Sequence, residues 1–425
     1  MGQGLAALPV VEGPWVGGVT SNSAVVVAKL NTARFSNLEV STDQDFSRNE
    51  SFSELRELPD SPEEMSRYRL SRLRPDTRYY YRIRTGRERD TRRTGSFRTL
   101  PAENTPASFR FAFGSAAVTG SEGGSFLEIK YHDPAFFLHT GDLHSETIAR
   151  NEPDAFRAAY ENVLNSSTQA ELYRNLPFVY TWDGHDYGPE GSDRLSPGRP
   201  AAQQIYREYV PHYPLPADEE LAAAPLADRP ISQAFTVGRV RFILLDTRSQ
   251  RDPADQLDNA EKTMLGAWQR GWLKRQLLAA KETSPLIFIV SSVSWISDDT
   301  ETGDNWGRYT TERRALSDWM VANEITGVCF LGGDGHMLAA DDGSHDTYAS
   351  DGGPGFPALQ AAPLDQTGSI KGGPWSVAAQ VPTNGEGHFG LVSVDDRLSE
   401  LHVTFQGLNQ SGNEKMRLEF TVPAR

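Results

Sequence analysis

The sequence is poor in cysteine, in long apolar runs and in net positive charge. Its 425 residues include a single cysteine, Cys329, which excludes a disulfide within the chain and a cysteine-rich zinc site. No apolar run approaches the roughly 20 residues that a membrane-spanning helix needs, so no membrane partner is expected. The formal charge of −15 argues against a nucleic-acid partner, because phosphate backbones bind basic surfaces.

The first residues also lack the pattern of a secretory leader. The stretch MGQGLAALPVVEG has no basic start followed by a long apolar core. We therefore expect a cytoplasmic protein, or a secreted one from which a leader has been removed. A chain of 425 residues is long for one hydrophobic core, so two or more structural units are expected.

Short strand patterns separated by turn residues occupy the first hundred residues. The runs SAVVVAKL, LEVST and TRYYYRIRTG are rich in β-branched and aromatic residues. The phrase LRPDTRYYYRIR is similar to the corner of fibronectin-type and immunoglobulin-like sandwiches, where a Leu, a Thr and a Tyr fix a loop against the next strand. The sequence therefore predicts an all-β immunoglobulin/fibronectin-like sandwich domain over residues 1–105.

Arginine is concentrated in this same region. Residues 67–98 hold twelve arginines against three acidic residues, although the chain as a whole is acidic. Two interpretations stay open. One is a solvated strand face, or a face docked on the acidic remainder of the chain; the other is a surface that binds polyanions.

From residue 106 onward, apolar runs of strand length alternate with helical patterns. The strand runs are FRFAFGS, AFFLHTGDL, LPFVYTWDGHD, RFILLDT, LIFIVSSVSW and GVCFLGGDGH. The apolar spacings of residues 257–278 predict the clearest helix. This alternation predicts an α/β domain with strands buried on both faces, and residues 388–423 are expected to close it with antiparallel strands.

Ionisable residues follow the ends of most of these strands. In open α/β sheets, ligands bind beyond the carboxyl ends of the strands, so side chains from distant segments are expected to meet at one edge. Asp and His offer oxygen and nitrogen ligands for a metal ion, and Asp334 and His336 face the same way in an extended segment. Each motif alone is more often a capping Asp or a hydrogen-bonded His, and an Asp246–Arg248 ion pair would more often be structural than catalytic.

Taken together and in order, the motifs resemble those of a known family. FGS, HTGDLHSE, TWDGHDYG, FILLDTRSQR, VSSVSW and FLGGDGHMLAADDG are similar to motifs of the PhoD-like (alkaline phosphatase D) branch of the calcineurin-type metallophosphoesterases. The preceding sandwich is similar to the N-terminal domain of that family. The resemblance implies a four-layer αββα metallophosphatase-like domain over residues 106–425. It also implies hydrolysis of phosphate mono- or diesters by metal-activated water. The cofactors would be calcium and iron, or manganese or zinc, present as two ions, a single ion or none.

The resemblance also implies roles for particular residues. Asp142, Asp334 and His336 would be metal ligands, with Asp142 bridging two ions and taking part in catalysis. His185 would contact the phosphate or protonate the leaving group, and Arg248 is a further catalytic candidate. The substrate is expected to be a small phosphate ester that lies against Ser115, His144, Ser145, Asp183, Gly184 and Asp186.

The sequence departs from the family pattern at four positions. Ala116 stands where the family has a Cys, Ser145 where it has a Tyr, and Gly184 where it has a second Asp. The Asn expected shortly afterwards corresponds to Glu190 or Gly191. Because alanine and glycine offer no side-chain ligand, the sequence predicts a phosphohydrolase with altered or reduced metal content. The alternative is a repurposed or catalytically silent member that binds a ligand, or catalyses different chemistry, in the same pocket.

Two late segments, SDGGPGF and IKGGPW, are rich in glycine and resemble loops. Long loops that border a site often carry function. We therefore expect the segment that includes Trp375 to lie over the predicted pocket as a lid.

Overall fold

The structure, a computed structural model, describes residues 10–31, 36–48, 52–57, 65–86, 88–217, 219–298, 303–383 and 385–424. The N-terminal region consists of strands. They are β1 Val10–Gly17, β2 Ser23–Leu30, β3 Ser36–Ser41, β4 Ser53–Glu57, β5 Met65–Ser71, β6 Arg78–Thr85, β7 Glu88–Arg89 and β8 Gly95–Arg98.

Strands and helices alternate in the remainder of the chain. They are β9 Phe109–Gly114, α1 Gly124–Tyr131, β10 Phe137–His139, α2 Pro153–Asn165, α3 Gln169–Asn175, β11 Phe178–Tyr180, α4 Gly184–Tyr187, α5 Arg199–Tyr209, α6 Glu219–Ala223, β12 Gln233–Val237, β13 Val240–Leu244, α7 Gly266–Lys281, β14 Leu286–Ser291, α8 Thr310–Ala322, β15 Val328–Gly332, β16 Leu338–Asp341, β17 Ala358–Ala361, β18 Val377–Gln380, β19 His388–Asp396, β20 Glu400–Asn409 and β21 Glu414–Pro423. Short 3₁₀ turns occur at Leu226–Asp228 and Trp306–Tyr309. Within the described ranges, no helix has both the length and the apolar character that crossing a membrane requires.

The N-terminal strands form two layers, which confirms the predicted all-β region. β1, β2, β5 and β4 lie side by side in one layer, and β3, β6, β7 and β8 form the other. The predicted corner is present, because the Tyr79 hydroxyl accepts the Arg74 backbone N–H at 2.9 Å. Burial alternates along β6, so Tyr79, Tyr81 and Ile83 point into the space between the layers.

One layer of this sandwich continues into the sheet of the following region. β1 pairs in parallel with β11, with Gly17 opposite Phe178. Ten strands therefore form one sheet, in the order β21-β20-β19-β9-β10-β11-β1-β2-β5-β4. Trp15 is buried at this junction and stacks on Phe178 with ring centroids 5.2 Å apart. The domain division between residues 105 and 106 stays a prediction, and the two parts share a sheet across it.

A second sheet, of seven strands, packs against the first. Its order is β12-β13-β14-β15-β17-β16-β18. In the core between the sheets, Phe111 meets Phe288 at 5.2 Å and Phe136 meets Phe242 at 5.3 Å between ring centroids. Helices α1, α2, α3 and α5 cover the outer face of the first sheet, and α7 and α8 cover that of the second. The predicted four-layer αββα architecture is confirmed, since strands buried on both faces need a helix layer on each side.

The predicted strands of this region are present, and most are shorter than their apolar runs. β9, β10 and β11 are parallel in the first sheet, and β13, β14 and β15 are parallel in the second. The closing strands β19, β20 and β21 are antiparallel, as expected.

The helix predicted over residues 257–278 is wrong in its first part. α7 begins at Gly266, and Leu257 is 79% exposed. The reason is tertiary, because the Glu312 carboxylate accepts the Met264 backbone N–H at 2.7 Å. Gly266 also has φ of +72°, a left-handed conformation that interrupts a right-handed helix.

The arginine-rich strands are paired with acidic residues. Arg82, Arg84 and Arg89 lie 2.8, 3.7 and 3.1 Å from the Glu39 carboxylate. Arg78 reaches Asp133, which precedes β10, at 2.7 Å. These contacts favour the first interpretation of the region, an ion-paired strand face that also docks on the rest of the chain.

Candidate active site

Carboxyl ends of parallel strands from both sheets meet at one edge. In the first sheet, the segments after β9 and β11 carry Ser115 and Asp183; in the second, those after β14 and β15 carry Ser292 and Asp334. Ser292 Oγ donates to Asp183 Oδ1 at 2.6 Å, and the Asp334 backbone N–H donates to Ser115 Oγ at 3.2 Å. The two sheets therefore bring residues from distant segments into one site.

Four residues at these strand ends have a backbone conformation that non-glycine residues rarely adopt. They and their φ angles are Ala116 (+60°), Asp142 (+52°), Asp334 (+61°) and His336 (+32°). Such conformations cost of order 1–3 kcal/mol each and persist only where surrounding contacts hold them. One such contact is the Ala116 N–H, which donates to the Gly141 carbonyl at 3.1 Å. Strained residues gathered at one edge are typical of a functional site.

Asp186 fixes the turn that presents Asp142. Its carboxylate accepts the backbone N–H groups of Asp142, Leu143 and Asp183 at 2.7, 2.8 and 2.9 Å. These three hydrogen bonds hold the loop in place. Burial also raises the pKa of Asp186 to about 7. The predicted contact of Asp186 with substrate stays a prediction.

Asp142, His185 and Glu190 form a group that could hold a metal ion. Each offers one ligand atom, and these atoms lie within 4.8 Å of one another. Asp142 Oδ1 accepts the His185 backbone N–H at 3.0 Å. His185 Nδ1 lies 3.3 Å from the Glu146 carbonyl oxygen, and its Nε2 lies 3.8 Å from Glu190. Two carboxylates and an imidazole suit one iron, manganese or zinc ion, and the carboxylates without the imidazole would suit calcium.

The electrostatics of the pocket also fit a bound cation. Burial raises the pKa of Asp142 well above its usual value, and the Asp183 carboxylate adds to the shift. Burial likewise raises the pKa of Asp334, although Lys371 opposes this. Carboxylates gathered in a buried pocket favour a positively charged ligand, because it removes their mutual repulsion.

Asp334 and His336, the other predicted metal ligands, contact the late glycine-rich segment. Lys371 Nζ lies 2.7 Å from Asp334 Oδ1 and 3.1 Å from Glu190 Oε1. His336 Nδ1 lies 2.7 Å from the Thr367 carbonyl oxygen, which leaves its Nε2 for another partner. Asp334 Oδ2 is buried and has no hydrogen-bond partner among the described residues. One oxygen of Asp334 therefore stays available to a ligand.

Glu190 lies beside the glycine that replaces an acidic residue of the family pattern. A Cβ atom on Gly184 would lie 3.4 Å from Glu190 Oε2. Although burial opposes it, Lys371 and Arg248 lower the pKa of Glu190. Glu190 therefore supplies an ionised carboxylate next to the position where Gly184 has none.

Arg248, predicted as a catalytic candidate, is buried beneath the pocket. Its guanidinium pairs with Asp183 at 2.5 Å and with Asp304 at 2.6 Å, and Asp304 also pairs with Arg251. The predicted ion pair with Asp246 is wrong: Asp246 instead accepts the Arg248 backbone N–H at 3.0 Å. Although burial opposes it, Asp183 and Asp304 raise the pKa of Arg248, which stays charged. Its contacts are those of a residue that positions Asp183, and its catalytic role stays a prediction.

His144 and Ser145, predicted to contact substrate, have other partners in the structure. His144 is buried with its ring edge-on to Tyr160 at 5.8 Å, and burial lowers its pKa to about 3. The Ser145 hydroxyl lies 3.2 Å from the Thr119 hydroxyl and accepts the Thr119 backbone N–H. Their contacts with substrate stay predictions.

The sequence does not predict the parts played by Lys371, Asp304 and Ser292. Each lies in a loop or at a strand end, outside the acidic and histidine-containing motifs. The one sequence signal was the glycine-rich stretch around Lys371, which predicted a segment over the pocket. Residues 367–371 of that segment do lie against the site, whereas Trp375 packs on the apolar cluster between the second sheet and its helices.

Two facing sheets between helix layers, with carboxylates and an imidazole gathered at one edge, are the arrangement that the resemblance to the metallophosphoesterase class implied. Comparison with known proteins identifies the family. The model described as PhoD-like phosphatase matches residues 121–384, and that of the PhoD-like phosphatase N-terminal domain matches residues 5–101. The chain belongs to the PhoD-like phosphatase family, which confirms the resemblance of the motifs.

The chain is also similar to two individual proteins. The chain is 24% identical over 321 residues to alkaline phosphatase D of Bacillus subtilis (strain 168), a match that covers 64% of this chain and 53% of that protein. The chain thus spans about half the length of this relative. A solved structure described as "Structure of PhoD" matches with a TM-score of 0.75 at 17% identity, over 98% of this chain and 94% of that one. The second match supports the fold.

Proposed function

We propose that the chain is a metal-dependent phosphohydrolase that cleaves small phosphate mono- or diesters at the edge where the strand ends of the two sheets meet. The observation that carries the proposal is the group of Asp142, His185 and Glu190, whose ligand atoms lie within 4.8 Å of one another. The strained strand ends and the membership of a phosphatase family support it. So does the likeness to a protein named alkaline phosphatase D.

The residues of the pocket have distinct parts in this proposal. A bound ion would supply a water molecule of lowered pKa and would polarise a phosphoryl oxygen. Asp142 and Glu190 would hold that ion. His185 Nε2 would complete the ligand set, or donate a proton to the leaving oxygen as the family resemblance implies. Asp186 and Arg248 keep the loops around Asp142 and Asp183 in register.

Hydrolysis of p-nitrophenyl phosphate and bis(p-nitrophenyl) phosphate tests the proposal. With iron, manganese, zinc or calcium supplied, we expect the protein to turn over at least one ester and EDTA to abolish turnover. Asp142→Asn should lower kcat by at least about 100-fold, because the ion loses a charged ligand. The exposed Asp351→Asn is the matched control and should behave like the wild type. Absence of turnover of both esters with every metal would overturn the proposal.

His185→Gln separates the two parts considered for His185. If the imidazole is a ligand, the variant should retain less metal after gel filtration. If it is the proton donor, metal content should stay at the wild-type level, while kcat falls more for phenyl phosphate, which has the poorer leaving group, than for p-nitrophenyl phosphate.

A ligand-binding protein without hydrolytic activity is the second candidate. Ala116 and Gly184 favour it because they offer no metal donor, and the Ser145 hydroxyl is engaged with Thr119. In that case inorganic phosphate should bind in titration calorimetry, and Asp142→Asn should change its affinity, while neither ester is turned over.

A further inference from the structure

The Lys371 ammonium lies between two carboxylates of the pocket. It is 2.7 Å from Asp334 Oδ1 and 3.1 Å from Glu190 Oε1. Asp334 is a predicted metal ligand, and Glu190 belongs to the group that could hold an ion. The ammonium therefore occupies a position where a cation shared by these two carboxylates would bind, and its contact with Asp334 has the length of a charge-assisted hydrogen bond.

The segment that carries Lys371 is fastened on both sides of the lysine. The Ser369 N–H donates to the His336 carbonyl at 3.1 Å, and the Gly373 N–H donates to the Ile296 carbonyl at 3.0 Å. The Lys371 side chain is 26% exposed, so its attraction to the carboxylates is less screened than on the surface. These anchors place the ammonium in the pocket as part of the fold.

The pocket carries more acidic than basic side chains, so a cation would be attracted to it. Six carboxylates face three cations, which leaves a surplus of three negative charges. The acidic residues are Asp142, Asp183, Asp186, Glu190, Asp304 and Asp334, and the basic ones are Arg248, Arg251 and Lys371. Removal of the lysine charge would leave the Asp334 and Glu190 carboxylates without the cation that they share.

We propose that Lys371 is a built-in cation that takes the place of a second metal ion. The site then binds one ion beside Asp142 and Glu190, and the ammonium supplies the second positive charge that faces the phosphate of the substrate. This inference rests on the proposed function, because it concerns the ion content of the same site. It also accounts for a pocket that lacks ligands at Ala116 and Gly184 and yet retains Asp334.

Metal stoichiometry tests the inference without reference to activity. We expect the purified wild type to bind one equivalent of Mn²⁺ in titration calorimetry and to retain one after gel filtration, as measured by elemental analysis. Lys371→Met should bind two equivalents, and Lys371→Arg should stay at one. Lys281→Met is the matched control, since Lys281 has the same 26% side-chain exposure and pairs with Glu324; it should bind one equivalent.

A wild type that binds two ions, or a Lys371→Met variant that gains none over the wild type, would overturn the inference. If the methionine variant does not fold, Lys371→Gln carries the same expectation of two ions, because it retains a polar contact for Asp334. Failure here is distinguishable from failure of the proposed function. A wild type with two ions that hydrolyses the esters refutes the lysine's part alone. If Lys371→Met binds a second ion but the wild type turns over no ester, hydrolysis alone is refuted.

Discussion

At the scale of single residues, Arg248 illustrates how the pocket is held. Its side chain is fully buried and lies between the carboxylates of Asp183 and Asp304. A buried ion pair contributes little net stability, because desolvation offsets the attraction between the charges. Loss of one partner is costly nevertheless, since the remaining charge stays buried without compensation. The guanidinium is therefore needed for the fold around the site, whatever part it has in the reaction.

We predict that Arg248→Met lowers the free energy of unfolding by about 3–5 kcal/mol, measured by urea denaturation. Arg417→Met is the control, because Arg417 pairs with Glu414 at the surface and its side chain is 45% exposed; it should lie within about 0.5 kcal/mol of the wild type. A variant at Arg248 that unfolds like the wild type but loses ester hydrolysis would contradict this expectation and favour the catalytic part predicted from the sequence.

At the scale of elements, β1 and α2 meet at a buried carboxylate. Glu12 of β1 is 7% exposed. Burial, together with the nearby Glu161 of α2, raises the pKa of Glu12 from 4.5 to about 7. Between these two values the folded protein holds a proton that the unfolded chain has released. The free energy of unfolding therefore falls as the pH rises through this range.

We predict that Glu12→Gln removes this loss of stability. At about pH 8 the variant should be more stable than the wild type by on the order of 1 kcal/mol, and the difference should shrink as the pH falls from about 7 to about 4.5. Urea denaturation at a series of pH values measures it, with the exposed Glu122→Gln as the control. A stability difference that grows toward acid pH would contradict the raised pKa of Glu12.

At the scale of the whole molecule, the shared sheet joins the sandwich to the αββα region. Trp15 is buried between β1 and the helices, with Phe178, Tyr173 and Tyr160 around its ring at centroid distances of 5.2, 6.1 and 6.5 Å. An interface built from backbone pairing and buried aromatic rings resembles a domain interior rather than a hinge. The two regions should therefore unfold together.

We predict one heat-absorption peak in differential scanning calorimetry of the full chain. Trp15→Ala should lower the free energy of unfolding by about 3–5 kcal/mol, because it leaves a large cavity in a close-packed region, and should move the whole peak to lower temperature. Val11→Ala is the control in the same strand, since Val11 is partly exposed. Two peaks of which Trp15→Ala moves only one would show that the regions unfold independently.

Much of the fold could be predicted from the sequence, because apolar period and turn residues are local properties. The strand runs, the sandwich corner at Tyr79 and the placement of Asp142, His185 and Asp334 after strand ends all depend on neighbours in the chain. The helix over 257–278 fails at its start for the opposite reason. The Met264 backbone N–H donates to the Glu312 carboxylate of another helix, and no local sequence pattern predicts this contact.

The sequence by itself determined the alternation of strands and helices, the order of the strands along the chain and which strand ends carry ionisable groups, and the resemblance of its motifs to a family implied the four layers. Only the tertiary structure decided the partners of those groups: Glu190 beside Asp142, Lys371 on Asp334, and Asp304 rather than Asp246 against Arg248. It also decided that β1 joins β11. The physical reason is range, since secondary structure follows from residues a few positions apart. Ion pairs and metal sites depend instead on which loops the packed sheets bring within a few ångströms of one another.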